Sequence, residues 1–328
     1  MVALTVLSVA IGAVAARAAL EGQKTNAAPR WLGLFSAAIR PSDGTIFVVG
    51  SKALMMTSSD HGKTWLQRTL TERAGDVLFQ DRDLYSIRFT PDSKLGLIVG
   101  EDGVILRSTD GGETWTPQKS GVKKNLLKVH LVDDQNAMAV GADGVIVRST
   151  DGGQTWQSVK SPKDITLFDI TFTDKNTGWA VGEFSTVLKS TDAGQTWNVV
   201  AGGNTTDFTI GPYFTINFID PQNAIVGGLA GEMATSNDGG KTWKPSKLPD
   251  PVGAYAATYD PATKKMWAVG TGGRAFFQNA AGQWQEAHRD TFNDLTDIAL
   301  EGNEGVMVGL NGTILVSNDA GEQWQVVQ

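Results

Sequence analysis

The chain of 328 residues has no cysteine. That excludes disulfides, thiolate metal sites, a cysteine nucleophile and a lipidated-cysteine anchor. Histidine is scarce: His61, His130 and His288 are scattered, which argues against a histidine metal centre. There are only four tyrosines, Tyr85, Tyr213, Tyr255 and Tyr259. Positive charge is outweighed, with 28 Lys and Arg against 35 Asp and Glu and a net charge of −7. Nothing electrostatic therefore points to nucleic acid or an anionic membrane as partner. Glycine-rich strand-to-helix phosphate loops are missing, and no cofactor or metal is expected. Long apolar runs are missing as well. The longest, Val2 to Ala16, is 15 residues, short of the roughly 20 that span a membrane. With Ala16-Arg17-Ala18 behind it, residues 1–18 read as a signal peptide or anchor for export to the periplasm or an equivalent compartment. Residues 19–30 read as a flexible polar lead-in.

What is present is a repeat. Ser108 to Trp115 reads STDGGETW, and near-copies run Ser58 to Trp65, Ser149 to Trp156, Ser190 to Trp197, Ser236 to Trp243 and Ser317 to Trp324. An eroded copy is Gln278 to Trp284. The tryptophans at Trp65, Trp115, Trp156, Trp197, Trp243, Trp284 and Trp324 are spaced by 50, 41, 41, 46, 41 and 40 residues. A period of about 41 marks stacked supersecondary units. Asp60, Asp110, Asp151, Asp192, Asp238 and Asp319 each precede a turn, where a carboxylate bonds backbone amides ahead of it and glycine accepts positive φ. Their recurrence favours architecture over catalysis, which needs one site rather than seven.

Each unit fits one template. An alternating strand such as Leu84 to Phe89 is followed by a short turn and a second strand ending in Val-Gly, as at Val99-Gly100, Val140-Gly141 or Val226-Gly227. A tight turn such as Glu101 to Gly103 leads to a third strand, and the box turns the chain into a fourth. Seven units of four antiparallel strands predict an all-β, seven-bladed β-propeller over residues 31–328. The insertions at 70–83 and 201–211 are expected on one rim, where longer loops serve recognition.

Aligned first strands place Ser36, Ser86, Lys128, Asp169, Thr215, Ala256 and Asp297 at one polar position. Two residues on come Ala38, Arg88, His130, Thr171, Asn217, Thr258 and Ala299. These residues either line a wet channel, with Lys128 and Asp169 paired, or form a pocket of Arg88, Lys128, His130 and Asp169 at its mouth. A second row, Arg107, Arg148 and Lys189, sits just before the Ser of three adjacent boxes. It is either a solvated strand end or a basic strip for an acidic partner segment.

Ser-x-Asp-x-Gly-x-Thr-Trp is the Asp-box, or BNR repeat, also found in sialidases. The longer pattern over Gly100 to Trp115 and Gly141 to Trp156 resembles the photosystem II stability/assembly factor-like family. That resemblance implies an exported, non-catalytic scaffold, peripheral to a membrane and monomeric, which binds a subunit of a membrane complex. The alternative is a glycoside hydrolase or carbohydrate-binding propeller. Against it, the Arg-Ile-Pro signature of sialidases is replaced by Ile39-Arg40-Pro41 in the wrong order. A two-carboxylate glycosidase needs acids about 5–10 Å apart, whereas Asp169 and Asp297 are expected nearly opposite each other across the disc.

Overall fold

The computed structural model describes residues 23–25, 32–69, 81–204, 211–279, 282–287 and 289–327. The apolar run at 1–18, most of the 70–83 insertion and residues 205–210 lie outside them. Seven antiparallel sheets follow one another along the chain, each with four strands in sequence order, and the first with one more at its outer edge. Their first strands are Leu34–Ile39, Leu84–Phe89, Leu126–Leu131, Leu167–Phe172, Tyr213–Phe218, Ala254–Asp260 and Leu295–Glu301. Those of neighbouring sheets pack side by side, and the seventh packs on the first. The molecule is a closed seven-bladed propeller.

Seven hydrophobic cores fill the seven gaps between blades. Second strands such as Ile46–Gly50 and Gly96–Gly100 are buried along their whole length, which explains their unbroken apolar sequences. Between blades seven and one, Val306, Val308 and Ile314 meet Leu34, Ile46 and Val48. The ring thus closes by packing, and among the described residues no strand is exchanged between its ends. Blade one has a fifth, outermost strand. Gln23–Thr25, expected within a flexible lead-in, pairs with Trp65–Thr69. Three polar residues carry no strand signal of their own; they form a strand because the outer edge of the blade offers backbone partners.

The Val-Gly motif has a steric cause. Every first strand carries a bulge that presses the backbone against the end of the second strand. A Cβ on Gly100 would lie 2.2 Å from the Asp83 carbonyl, and one on Gly141 would lie 1.9 Å from that of Asn125. In blade five this place belongs to Gly228, opposite Tyr213, and not to Gly227. The expected Val226-Gly227 pairing is therefore one residue out of register.

The boxes share one hydrogen-bond pattern. In blade three Asp151 Oδ1 accepts from the Thr155 amide at 2.9 Å and the Ser149 hydroxyl at 2.8 Å, while Oδ2 accepts from the Thr155 hydroxyl. The Ser149 hydroxyl in turn accepts from the Gly153 amide at 2.8 Å. The Thr64 hydroxyl and amide hold the Asp60 carboxyl at about 2 in the same way. In four boxes the Trp N–H reaches a carbonyl of its own turn at 3.1–3.2 Å. Trp243 and Trp324 lack such an acceptor, and theirs are the boxes packed under a tryptophan of the preceding blade, Trp179 and Trp267. Asp151→Ala removes the acceptor of that turn and should cost about 1–2 kcal/mol in urea unfolding. An unchanged unfolding midpoint would show that backbone geometry alone holds the turn.

Candidate functional site

The innermost strand of each blade pairs on one side only, so its other edge faces the axis. Just after the bulge residue and the polar position, each strand has a backbone amide that needs an acceptor there. Five amides take it from the preceding blade. Ile87 donates to Ser36 Oγ at 3.3 Å, Val129 to Ser86 Oγ at 3.3 Å, Ile216 to Asp169 Oδ2 at 3.0 Å, Ala257 to Thr215 Oγ1 at 3.1 Å, and Ala37 to Asp297 Oδ2 at 3.2 Å. The other two follow Lys128 and Ala256, neither of which can accept. Those two strands have an aspartate of their own at the polar position. Ile170 donates to Asp169 Oδ1 at 2.8 Å, and Ile298 to Asp297 Oδ1 at 3.1 Å. Each aspartate thus stands where the preceding blade offers nothing. The row expected to line a channel thus also supplies five buried acceptors, Ser36, Ser86, Asp169, Thr215 and Asp297, each of which ties its blade to the next.

Two aspartates in this ring create the charge at the channel mouth. Lys128 Nζ lies 4.0 Å from both Asp169 Oδ1 and Asp297 Oδ1. The two carboxylates are thus no farther apart than twice that distance, which corrects the expectation that they stand remote across the disc. The channel is narrow enough for one lysine to bridge it. Arg88 Nη1 lies 3.5 Å from Asp297 Oδ2 and 3.1 Å from Ser36 Oγ. These groups, with His130, Thr171, Asn217 and Thr258, line a cavity of about 320 Å3. Burial alone would raise the Asp297 carboxyl, but Lys128, Arg88 and the bonds from Ser36 and Ala37 hold it below the usual carboxylate range. A glycosidase acid needs a raised pKa. The separation suits two-carboxylate chemistry, but Asp297 is shifted away from the raised pKa that the acid of such a pair needs.

The outer row lies on the same transverse line of the sheet. Arg88 pairs with Leu97 and Leu97 with Arg107; His130, Met138 and Arg148 follow suit, as do Thr171, Trp179 and Lys189. The structure therefore places both candidate groups on one face of the disc, separated by buried residues. Arg107 Nε donates to the Gly152 carbonyl at 2.6 Å and Arg148 Nε to that of Ala193 at 2.8 Å, each in the next blade's box. Lys189 lies over Trp179, 4.4 Å from the ring centre. The row plugs crevices between blades as well as offering charge.

The bulge residues are Phe35, Tyr85, Leu127, Phe168, Phe214, Tyr255 and Thr296, aromatic in five of seven blades. Ring centres of Phe35 and Tyr85 are 5.4 Å apart, those of Phe168 and Phe214 5.0 Å, and those of Phe214 and Tyr255 5.3 Å. They form a half-buried collar on the axis. The signal was legible one residue before the polar position, as an aromatic at a fixed place in the repeat. The described ends of both insertions lie on the face away from the boxes, where Arg82 and Gly211 meet the turns at Ala53 and Ser185.

The sequence model described as photosynthesis system II assembly factor YCF48 matches residues 34–119, 76–164 and 153–210, together more than half of the chain. The chain belongs to that family. A sequence search among curated proteins finds no match. Among solved structures the chain is similar to YCF48 bound to a D1 peptide, with 20% identity over 91% of this chain and 96% of that one and a TM-score of 0.69. YCF48 from Cyanidioschyzon merolae has 17% identity over 92% and 99%, and a TM-score of 0.69. Virginiamycin B lyase from Staphylococcus aureus has 14% identity over 90% and 98%, and a TM-score of 0.70. At such identities the structures show the fold alone, and a lyase on the same fold shows why fold does not decide function. The family does: the protein is a non-catalytic scaffold of the assembly-factor type.

Burial, and after it the charges of Arg88 and Lys128, push the His130 imidazole down to about 4. An unfolded histidine titrates near about 6.5, so between these values the unfolded chain binds the extra proton. Stability from this group is whole above about pH 6.5 and falls toward about pH 4, by up to about 1.4 kcal/mol per pH unit. Denaturant unfolding across that window should show the slope in the natural chain and lose it in His130→Gln. Equal slopes would contradict the assignment.

Proposed function

We propose that the protein holds an acidic segment of a membrane-complex subunit on the face carrying the Asp-boxes, along blades two to four. The observation that carries this reading is the shared line of Arg88, Arg107, His130, Arg148 and Lys189. The channel-mouth cluster is balanced, with two aspartates against Arg88 and Lys128 and a neutral His130, so it offers hydrogen bonds and shape. The outer arc supplies the net positive charge. The bonds that fix Arg107 and Arg148 run through Nε, which orients each guanidinium while its terminal nitrogens remain for a second acceptor. Charge of this kind on an acidic protein acts mainly through association rate and is screened by salt. Residues 1–18 serve as export signal or anchor, 19–30 as a lead-in that lends Gln23–Thr25 to blade one, and the propeller of 31–328 works as a monomer in the periplasm or its equivalent.

Arg107→Gln, Arg148→Gln and Lys189→Gln combined remove the charge and keep a donor at each crevice. Capture of the partner subunit from solubilised membranes should weaken about tenfold at low salt, with circular dichroism unchanged. Equal capture by a folded triple variant would contradict the arc.

A further inference from the structure

The channel has a second mouth, on the face away from the boxes, where the first strands begin. Its lip is the half-buried aromatic collar, with Phe35, Tyr85, Phe168, Phe214 and Tyr255 each the second residue of its strand. In six blades the residue before the first strand gives its carbonyl to the amide of the residue after the second strand, as Asp83 does to Glu101 at 2.8 Å and Asp294 to Leu310 at 2.9 Å. These positions, two per blade and twelve in all, stand next to the collar. They include Asp83, Glu101, Glu183 and Asp294 and no lysine, arginine or histidine. Burial, and after it the carboxylates of Asp83 and Glu101, push the Tyr85 hydroxyl up to about 12, so this charge is felt at the collar itself.

Backbone amides fix each of the four carboxylates through one oxygen. Asp83 Oδ1 accepts from Lys52 at 3.1 Å, Glu101 Oε2 from Asp83 at 3.2 Å, Glu183 Oε2 from Thr166 at 2.9 Å and Asp294 Oδ1 from Gly272 at 2.7 Å. Among the described residues none of the four is paired with a cation, and no lysine or arginine lies over a collar ring. Two cations of this face, Arg82 and Lys124, are taken by Asp102 and Asp143 instead. The mouth on the box side is the reverse, with its two aspartates held by Lys128 and Arg88. Leu229 and Leu310, 42% and 39% exposed, add apolar surface at the turns of blades five and seven.

We propose that this mouth docks a basic, partly apolar segment of a protein partner, with a lysine or arginine side chain on the collar. Aromatic faces attract a cation as it leaves water. The carboxylates around it supply the opposite charge, and each keeps one oxygen that accepts nothing from the described residues. Charge complementarity of this kind selects the partner and speeds its approach. An anionic lipid surface would be repelled by the same four groups. The site lies on the opposite face from the arc of Arg107, Arg148 and Lys189, prefers the opposite charge and does not depend on it.

The test titrates acetyl-Leu-Arg-Gly-Lys-Leu-amide, and a counterpart with Glu in place of Arg and Lys, into the full isotope-labelled chain and follows its backbone amides. The basic peptide should shift Tyr85, Phe168, Phe214 and Tyr255 and leave Arg107 and Arg148 unmoved, and the acidic one should leave the collar as it was. Asp83→Asn, Glu101→Gln and Glu183→Gln combined keep the oxygens that accept from the backbone and should weaken the basic peptide at least about fivefold at low salt. No shift at the collar with the basic peptide, or equal shifts from the acidic one, would overturn the proposal. So would equal binding by the triple variant with its circular dichroism unchanged. Binding to phosphatidylglycerol vesicles in place of the peptide would overturn it in favour of a lipid surface.

Discussion

Seven backbone amides on the inner edges of seven strands must each find an acceptor beside a closed channel, and much of the molecule follows from how they do so. An unpaired donor there costs about 1–3 kcal/mol, so the polar position of every first strand is constrained by its neighbour. Serine or threonine suffices when the preceding blade can accept. After Lys128 and Ala256 the strand must bring its own acceptor, and only there does aspartate appear, at Asp169 and Asp297. The same carboxylates then reach forward, to Ile216 and Thr215 in blade five and to Ala37 and Ser36 in blade one. Ring closure is therefore chemically the same joint as the others, although it links residues 261 apart in sequence.

Charge in the channel is a consequence of that solution. Two buried aspartates require positive partners, and Lys128 and Arg88 supply them. Burial depresses His130, and the charges of Arg88 and Lys128 add to that effect. The polar groups available to a ligand at the channel mouth are thus held in place by structural bonds, which preorganises them. The outer arginines repeat the theme: Arg107 and Arg148 each secure a blade junction through Nε.

The repeat period, the boxes and the seven-bladed architecture were legible because the same physical demand is written seven times. Reading was harder where a demand is met across space. The row from Ser36 to Asp297 was visible, but its role was not, since four of the acceptors serve a strand 42 to 51 residues on and Asp297 one 260 residues back. The Gly227-Gly228 pair offered two registers, and the close approach to the Pro212 carbonyl selects the second. Asp169 and Asp297 looked distant because blade numbering ignores how far a lysine reaches across a narrow channel. The strand at Gln23–Thr25 could not be seen, for three polar residues carry no strand signal and the pairing is offered by the backbone of Trp65–Thr69.

The central claim is that these amides are held by side chains and that the aspartates complete the set. Hydrogen exchange of the Ala37, Ile87, Val129, Ile170, Ile216, Ala257 and Ile298 amides, referred to Val48 in the same protein, addresses it most directly. All seven should be protected in the natural chain. In Asp297→Ala, Ala37 and Ile298 should lose protection relative to Val48, while Ile87 and Val129 keep theirs. Unchanged protection at Ala37 and Ile298 in that variant would contradict the account.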